Sequence, residues 1–167
     1  MRQCGAMPRY EPLDAGVPLQ ASRSDLVAFQ WEPNGIIADF SLPDDEGHLL
    51  RVSFDRPCIV RLLDEMPLST ETDETPNEGL IDEHFAYRLE GARFARLQSE
   101  AWKEVSGPVT HYQFVTGWAC MDVLSGGSPL FDRSSGKLNS TLRTILGFRM
   151  MPNTDSSALR ASRSSSA

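Results

Sequence analysis

The sequence predicts an α+β protein, a curved antiparallel sheet of six to seven short strands with one or two short helices on one face. Two observations support this. Apolar and polar residues alternate along much of the chain from residue 26 to residue 125, which is typical of half-buried strands. The turns between these segments are too short for the crossovers that parallel strands require. A small β-barrel is the alternative.

The strand segments are separated by residues that favour turns. Pro33-Asn34-Gly35 predicts a tight hairpin, because Asn and Gly tolerate the positive φ that such turns require. Pro57 interrupts the alternation between two later segments. The predicted strands span residues 26–31, 36–42, 50–54, 58–63, 85–89, 110–116 and 118–125.

The spacing of apolar residues becomes helical after residue 93. Phe94, Leu97, Ala101 and Val105 recur at intervals that would place them on one face of a helix, and Gly107-Pro108 would end it. Residues 137–150 form a further element, for which the pattern permits either a helix or a strand.

Composition divides the chain into three parts. Residues 1–24 contain several prolines and no clear period, so we expect an irregular N-terminal arm. Residues 25–150 are expected to fold as a single globular domain with an acidic loop at 64–83. Residues 151–167 are rich in Ser, contain Arg and have little apolar surface to bury, which predicts a disordered tail.

Negative charge is concentrated in one segment. The formal net charge is −7, and eight carboxylates lie between residues 62 and 83 without a Lys or Arg among them. They are Asp64, Glu65, Glu71, Asp73, Glu74, Glu78, Asp82 and Glu83. Such a field attracts basic proteins and disfavours nucleic acid and anionic membranes as partners. The alternative interpretation is a solvated loop that keeps the protein soluble.

A catalytic arrangement is conceivable on the last predicted hairpin. Cys120 and Asp122 share one face of their strand, and His111 and Gln113 share a face of the neighbouring strand. Whether the two pairs meet depends on a register that spacing does not determine. No nucleophile motif surrounds them, so we expect no catalytic residue. The alternative is a small enzyme or ligand-binding barrel that uses His111 with Cys120 or Asp122.

Other sites and compartments are disfavoured by what the sequence contains. The three histidines lie far apart, and no metal-ligand spacing occurs, so we expect neither a metal nor a cofactor. Three scattered cysteines do not suggest a disulfide framework. No stretch approaches the roughly 20 apolar residues of a spanning helix, and no apolar signal segment follows Arg2. We therefore expect a cytoplasmic protein.

One region resembles a known type of protein. The run His111-Tyr112-Gln113-Phe114-Val115-Thr116, followed by Trp118, Asp122-Val123-Leu124-Ser125 and Pro129, is similar to a pattern in small uncharacterised bacterial proteins of immunity-protein type. The resemblance covers about residues 85–131. It implies a compact antiparallel α+β domain that binds another protein and performs no reaction.

The leading hypothesis is a non-catalytic protein-binding module of immunity or inhibitor type that meets a basic protein, such as a toxin. Charge complementarity would speed and orient that encounter. A tryptophan, either Trp31, Trp102 or Trp118, is expected to anchor the interface. The residues predicted to bind the partner are Glu71, Asp73, Glu74, Glu78, Asp82, Glu83 and Trp118. A third hypothesis is a structural subunit that self-associates through an exposed edge strand.

Overall fold

The structure is a computed structural model, and it describes residues 7–64 and 77–136. The described residues belong to one compact unit. The predicted element at 137–150, the tail at 151–167 and the middle of the acidic loop lie outside the described residues.

Nine strands and two short helices account for most of the described chain. The strands are β1 (Arg9–Pro12), β2 (Leu26–Glu32), β3 (Gly35–Ser41), β4 (His48–Phe54), β5 (Cys58–Asp64), β6 (Ala86–Glu90), β7 (Thr110–Val115), β8 (Ala119–Ser125) and β9 (Leu130–Ser135). The helices are α1 (Arg93–Arg96) and α2 (Glu100–Ser106), and Ala21–Arg23 form a single 3₁₀ turn.

The strands form two antiparallel sheets. The first sheet has the order β1-β6-β7-β8-β5, and the second has the order β2-β3-β4-β9. The prediction of an antiparallel α+β fold is confirmed, and the seven predicted strand segments correspond to β2–β8. The prediction of one curved sheet is wrong, and the alternative of a closed barrel is also excluded, because the described strands form two separate sheets.

The division into two sheets occurs at Asp55-Arg56-Pro57, between β4 in one sheet and β5 in the other. Because β4 and β5 are joined by a short turn, the sequence suggested that they pair. Instead, β5 pairs with β8, from Cys58 opposite Ser125 to Asp64 opposite Ala119. The pairing partner of a strand depends on which faces can bury apolar surface together, and local alternation does not contain that information.

One apolar core lies between the sheets. The second sheet contributes Phe40 and Phe54, which are 0% and 3% exposed, and the first contributes Phe114, which is 0% exposed. The rings contact one another across the gap, with centroids 6.1 Å apart for Phe40 and Phe114 and 6.4 Å for Phe54 and Phe114. The faces that strict alternation predicted for β3 and β4 are the ones that enclose this core.

Two strands were not predicted. Within the N-terminal arm, which was expected to be irregular, Arg9–Pro12 form β1 and pair with β6. Only Tyr10 of this strand is buried, so the segment is too short and too polar to show a period. The other strand, β9, pairs with β4 and has no buried residue, so it too lacks an apolar signature.

The predicted helix is divided in two, and its apolar face is not buried. Ser99 caps α2 by accepting a hydrogen bond from the Trp102 N–H at 3.2 Å, which starts a new helix after α1. Leu97 and Val105 are 70% and 89% exposed, whereas Phe94 is partly buried. The helical period was therefore a correct indication of helix but a wrong indication of which residues it would bury.

The hairpin between β2 and β3 turns at Pro33-Asn34, as predicted, but for a different reason. Neither Asn34 nor Gly35 has a positive φ. Gly35 is required because the backbone of β4 lies against it: a Cβ at this position would lie 1.8 Å from the carbonyl oxygen of Phe54. The glycine therefore permits a close approach between two strands.

We predict that Gly35→Ala lowers the free energy of unfolding by at least about 2 kcal/mol, because the added methyl group must push β3 away from β4. Gly126→Ala is the matched control, since its Cβ would meet its nearest neighbour, the carbonyl oxygen of Pro108, at an ordinary 3.5 Å. We expect a change below about 0.5 kcal/mol for the control. Urea unfolding measures both, and equal values for the two variants would contradict the close approach.

Candidate functional site

A cluster of polar side chains lies on the face of the first sheet that points away from the core. In β7, Tyr112 and Phe114 point into the core, so His111 and Gln113 point outward. The register places Asp122 of β8 opposite Gln113 on one side and opposite Arg61 of β5 on the other. All four polar side chains therefore share the outer face.

Asp122 is the centre of this cluster. Its Oδ1 accepts hydrogen bonds from His111 Nε2 at 2.8 Å and from Gln113 Nε2 at 3.0 Å. Its Oδ2 accepts from Arg61, with 3.0 Å to Nε and 2.7 Å to Nη2. Three side chains from two neighbouring strands thus surround one carboxylate, as a buried charge requires.

The first helix covers the cluster. Phe94 of α1 lies with its ring centroid 4.4 Å from the guanidinium carbon of Arg61 and 5.5 Å from the centroid of the His111 ring. The side chains of Asp122 and His111 are 0% and 3% exposed, and that of Arg61 is 23% exposed. The carboxylate and the imidazole are therefore not accessible to a substrate in this structure.

The surroundings of Asp122 favour its ionised form. Burial by itself would raise the pKa of this carboxyl, but the hydrogen bonds and electrostatic attraction of His111 and Arg61 outweigh burial, so the pKa lies below its ordinary value. Because the carboxylate only accepts, His111 Nε2 carries the hydrogen of their bond. The other ring nitrogen, Nδ1, is buried without a hydrogen-bond partner among the described residues.

The arrangement joins His111 to Asp122 but does not build a Cys–His pair. Cys120 is opposite Val115, so the Gln113–Asp122 pair separates it from His111 along the two strands. Burial also raises the pKa of the other described thiol, Cys58, which disfavours its reactive thiolate form. The geometry is that of a compensated buried charge, which holds strands together.

A second candidate site surrounds Trp118, which is 56% exposed in the turn between β7 and β8. The acidic segment starts beside this turn, because Asp64, the last residue of β5, is opposite Ala119. Trp118 directly precedes Ala119. One end of the acidic segment is therefore placed next to the exposed indole.

The other end of the acidic segment is hydrogen-bonded to Ser22, whose carbonyl oxygen lies against Gly117 of the same turn. Glu83, with a φ of 59°, accepts hydrogen bonds on Oε2 from the N–H of Ser22 at 3.1 Å and from its hydroxyl at 2.7 Å. Ser24 lies two residues after Ser22, and its carbonyl oxygen accepts a hydrogen bond from the Gly117 N–H at 3.1 Å. The bonds from Ser22 lower the pKa of Glu83, so this carboxylate keeps its charge.

The remaining predicted residues differ in their surroundings. Glu78 is exposed and lies 4.0 Å from Arg9, a distance at which an exposed ion pair contributes little. Asp82 is exposed beside Leu80 and Ile81, which are 51% and 52% exposed. Glu71, Asp73 and Glu74 lie outside the described residues.

Sequence reasoning missed Arg61 and the role of Gln113. A signal for Arg61 was present, since it is the one charged residue inside the apolar run 58–63. A cation at that position must either face solvent or meet an acid, and Asp122 was already singled out. The step that joins them is the β5–β8 register, which the spacing of residues along the chain does not reveal.

We predict that Asp122→Asn lowers the free energy of unfolding by about 3 kcal/mol, because the new amide group must turn a donor toward another donor and leaves Arg61 without its counter-charge. Asp39→Asn is the matched control. Asp39 also accepts two bonds from an arginine, Arg51, at 2.8 and 2.9 Å, but that pair is more exposed, and we expect a loss of about 1 kcal/mol. Chemical denaturation at pH 7 measures the difference, and a larger loss in the control would contradict the central role of Asp122.

The pKa of Asp122 also predicts how stability depends on pH. An unfolded aspartate titrates near about pH 3.9. Because folding lowers the pKa of Asp122, its contribution is complete above that pH and is lost as the pH falls through the folded-state value. We therefore expect the free energy of unfolding to fall more steeply below about pH 4 in the wild type than in Asp122→Asn. Urea titrations at a series of acid pH values measure both slopes, and parallel curves would show that Asp122 is not responsible.

Comparisons with known proteins add no assignment to this geometry. No protein-family model, curated protein or solved structure matches the chain. Among the described residues, no group of three His, Cys, Asp or Glu side chains is placed to hold a metal ion. Of the helices within the described ranges, none has the length and apolar character needed to cross a membrane.

Proposed function

We propose that this chain is a non-catalytic protein-binding module of immunity or inhibitor type. Its partner would be a basic protein, such as a toxin, in the cytoplasm. The binding surface would be formed by the acidic segment 64–83 around Trp118. The observation that supports this proposal best is that both ends of the acidic segment are held beside one exposed tryptophan.

The position of Trp118 supports its role as an anchor. Tryptophan is enriched among the residues that contribute most to protein–protein binding, where an apolar centre is surrounded by polar residues. The turn that carries Trp118 is held in place, because the Gly117 N–H donates to the carbonyl oxygen of Ser24 at 3.1 Å and the Ala119 N–H donates to the hydroxyl of Thr116 at 3.0 Å. A side chain on a rigid turn loses little conformational entropy on binding.

The charge of the segment supports a basic partner. Apart from its eight carboxylates, the acidic and basic residues of the chain nearly balance. The field of the protein is therefore strongest around this segment, where it would steer a cationic protein toward Trp118. Leu80 and Ile81, both about half exposed, would add apolar contacts next to Asp82.

The enzyme alternative has one observation in its favour, the 2.8 Å contact between His111 and Asp122. Against it, both side chains are buried, Phe94 packs on His111, and Asp122 already accepts hydrogen bonds from Arg61 and Gln113. A buried carboxylate that accepts hydrogen bonds from three side chains, one of them the cationic Arg61, has little capacity left to act as a base. The cluster is better explained as side-chain pairing that favours one register of β5, β7 and β8.

A capture experiment with the chain as bait tests the proposal. In lysate of the source organism, we expect a basic protein to bind at low salt and to elute as salt rises. The bait Glu71→Lys/Asp73→Lys/Glu74→Lys should lose most of it, because the segment then has five carboxylates against three lysines, a net charge of −2 in place of −8. Trp118→Ala should weaken binding by at least about tenfold, as loss of an anchor does. Mass spectrometry identifies the captured protein, and titration with the purified partner measures the affinities.

The matched control is the bait Glu46→Lys/Glu90→Lys/Glu104→Lys. These three residues are exposed and lie outside the acidic segment, so the change in net charge is the same. The control should retain the partner with at most a small loss. If both triple variants lose it equally, net charge alone explains binding, and if salt has no effect, the partner is not held by charge. Either result would overturn the proposal.

A further inference from the structure

Of the two edges that the second sheet has among the described strands, the β2 edge carries almost no charge. The order of this sheet is β2-β3-β4-β9, so the outer side of β2 pairs with no described strand. Open strand edges attract other strands, and natural proteins usually protect them with charged residues, proline or very short strands.

Three of the four described edges have such protection. The edge strand β1 has only four residues, ends with Pro12 and carries Arg9 and Glu11. The edge strands β5 and β9 each carry an acidic and a basic residue. In contrast, β2 reads Leu-Val-Ala-Phe-Gln-Trp-Glu, and its one charged residue, Glu32, is its last.

Exposed aromatic surface accompanies the open edge. Trp31 is 63% exposed, and its ring centroid lies 6.4 Å from that of the partly buried Phe29. An exposed aromatic residue beside an unpaired strand edge offers apolar surface that an added strand can cover. Phe29 and Trp31 lie in the second half of β2. Ser24, whose carbonyl oxygen accepts from the Gly117 N–H, precedes the first residue of β2.

The hydrogen-bonding groups of β2 that face the open edge follow from its pairing with β3. Glu32 and Gly35 close the two-residue turn as a hydrogen-bonded pair, so alternation directs the backbone groups of Trp31 and Phe29 outward. The pairing shifts between Leu26 and Ala28, where a bulge occurs. A bulge interrupts regular pairing, so a new strand could add along Ala28–Glu32.

We propose that β2 pairs with β2 of a second copy of this chain, antiparallel and with Gln30 on the two-fold axis. In this register Trp31 of each copy is opposite Phe29 of the other copy, so two aromatic pairs form. Cross-strand aromatic pairs of this kind stabilise antiparallel sheets. Glu32 is opposite Ala28, so no like charges face each other. The two four-stranded sheets become one continuous sheet of eight strands.

We infer that a second copy of the chain binds this edge because β2 is complementary to itself in this register. The same five residues supply both sides of the pair, with an aromatic residue for each aromatic residue and an amide for an amide at Gln30. A single strand pair buries less than the roughly 1,200 Å² of a standard interface, so the dimer is weak and depends on concentration. Because each copy carries a net charge of −7, salt strengthens the dimer by screening their repulsion.

Analytical ultracentrifugation of the full chain over about 1 to 500 µM tests the proposal, a range that covers weak dimers. We expect the wild type to shift from monomer to dimer, and to do so at lower concentration when salt is raised. Gln30→Glu and Gln30→Lys should each weaken the dimer by about fivefold at low salt, because like charges face each other at the axis. An equimolar mixture of the two variants should restore it, since Glu then faces Lys.

Trp31→Lys is a second test of the dimer, and Leu130→Lys is its matched control. Each places a lysine on an exposed residue of an edge strand of the same sheet, and Leu130 is 59% exposed on β9. Only Trp31→Lys should abolish the dimer, and circular dichroism confirms that both variants fold. A wild type that stays monomeric, a mixture no better than its components, or a dimer lost in Leu130→Lys would overturn the proposal.

This experiment is independent of the proposed function. Binding of a basic partner weakens as salt rises, whereas the β2 dimer strengthens. The substitutions that test the two surfaces also do not overlap. A monomeric protein that captures a basic partner would refute the self-pairing alone, and a dimer that captures none would refute the binding module alone.

Discussion

The burial of one carboxylate in the five-stranded sheet, on β8 between β7 and the edge strand β5, constrains the rest of the structure. A charged group without solvent must be surrounded by donors, and Asp122 has three side chains that supply them. Those side chains come from β5 and β7, the two strands on either side of β8. Any shift of register by one residue would turn Arg61 or His111 to the opposite face and leave the charge uncompensated.

This constraint extends to the proposed binding surface. The register that brings Arg61 to Asp122 also brings Asp64, three residues later, to Ala119. The start of the acidic segment is therefore positioned beside Trp118 by the same pairing. Glu83 fastens the other end through Ser22, at a positive φ that a non-glycine residue seldom adopts. The buried polar cluster and the position of Asp64 beside the Trp118 turn are thus two consequences of one strand pairing.

The side-chain period within a segment predicted the strands well, but it did not predict everything that folding buries. Strict alternation in β3 and β4 identified the core-facing residues, such as Phe40 and Val52, because a sheet with one dry face imposes a period of two. Alternation did not identify β9, whose side chains are mostly exposed on an edge strand. The helical period around Phe94 was real, yet the segment divides into helices of four and seven residues, and Leu97 and Val105 are exposed.

By itself, the sequence determined the antiparallel character of the fold, the position of seven strands and the concentration of negative charge between residues 62 and 83. Each of these follows from neighbouring residues, through side-chain period, turn length or charge count. Only the tertiary structure decided that there are two sheets, that Arg61 meets Asp122, and that the acidic segment begins and ends beside Trp118. Those features depend on pairing between strand residues up to 87 positions apart, such as His48 and Ser135, and the free energy that selects a pairing is that of burying whole faces together.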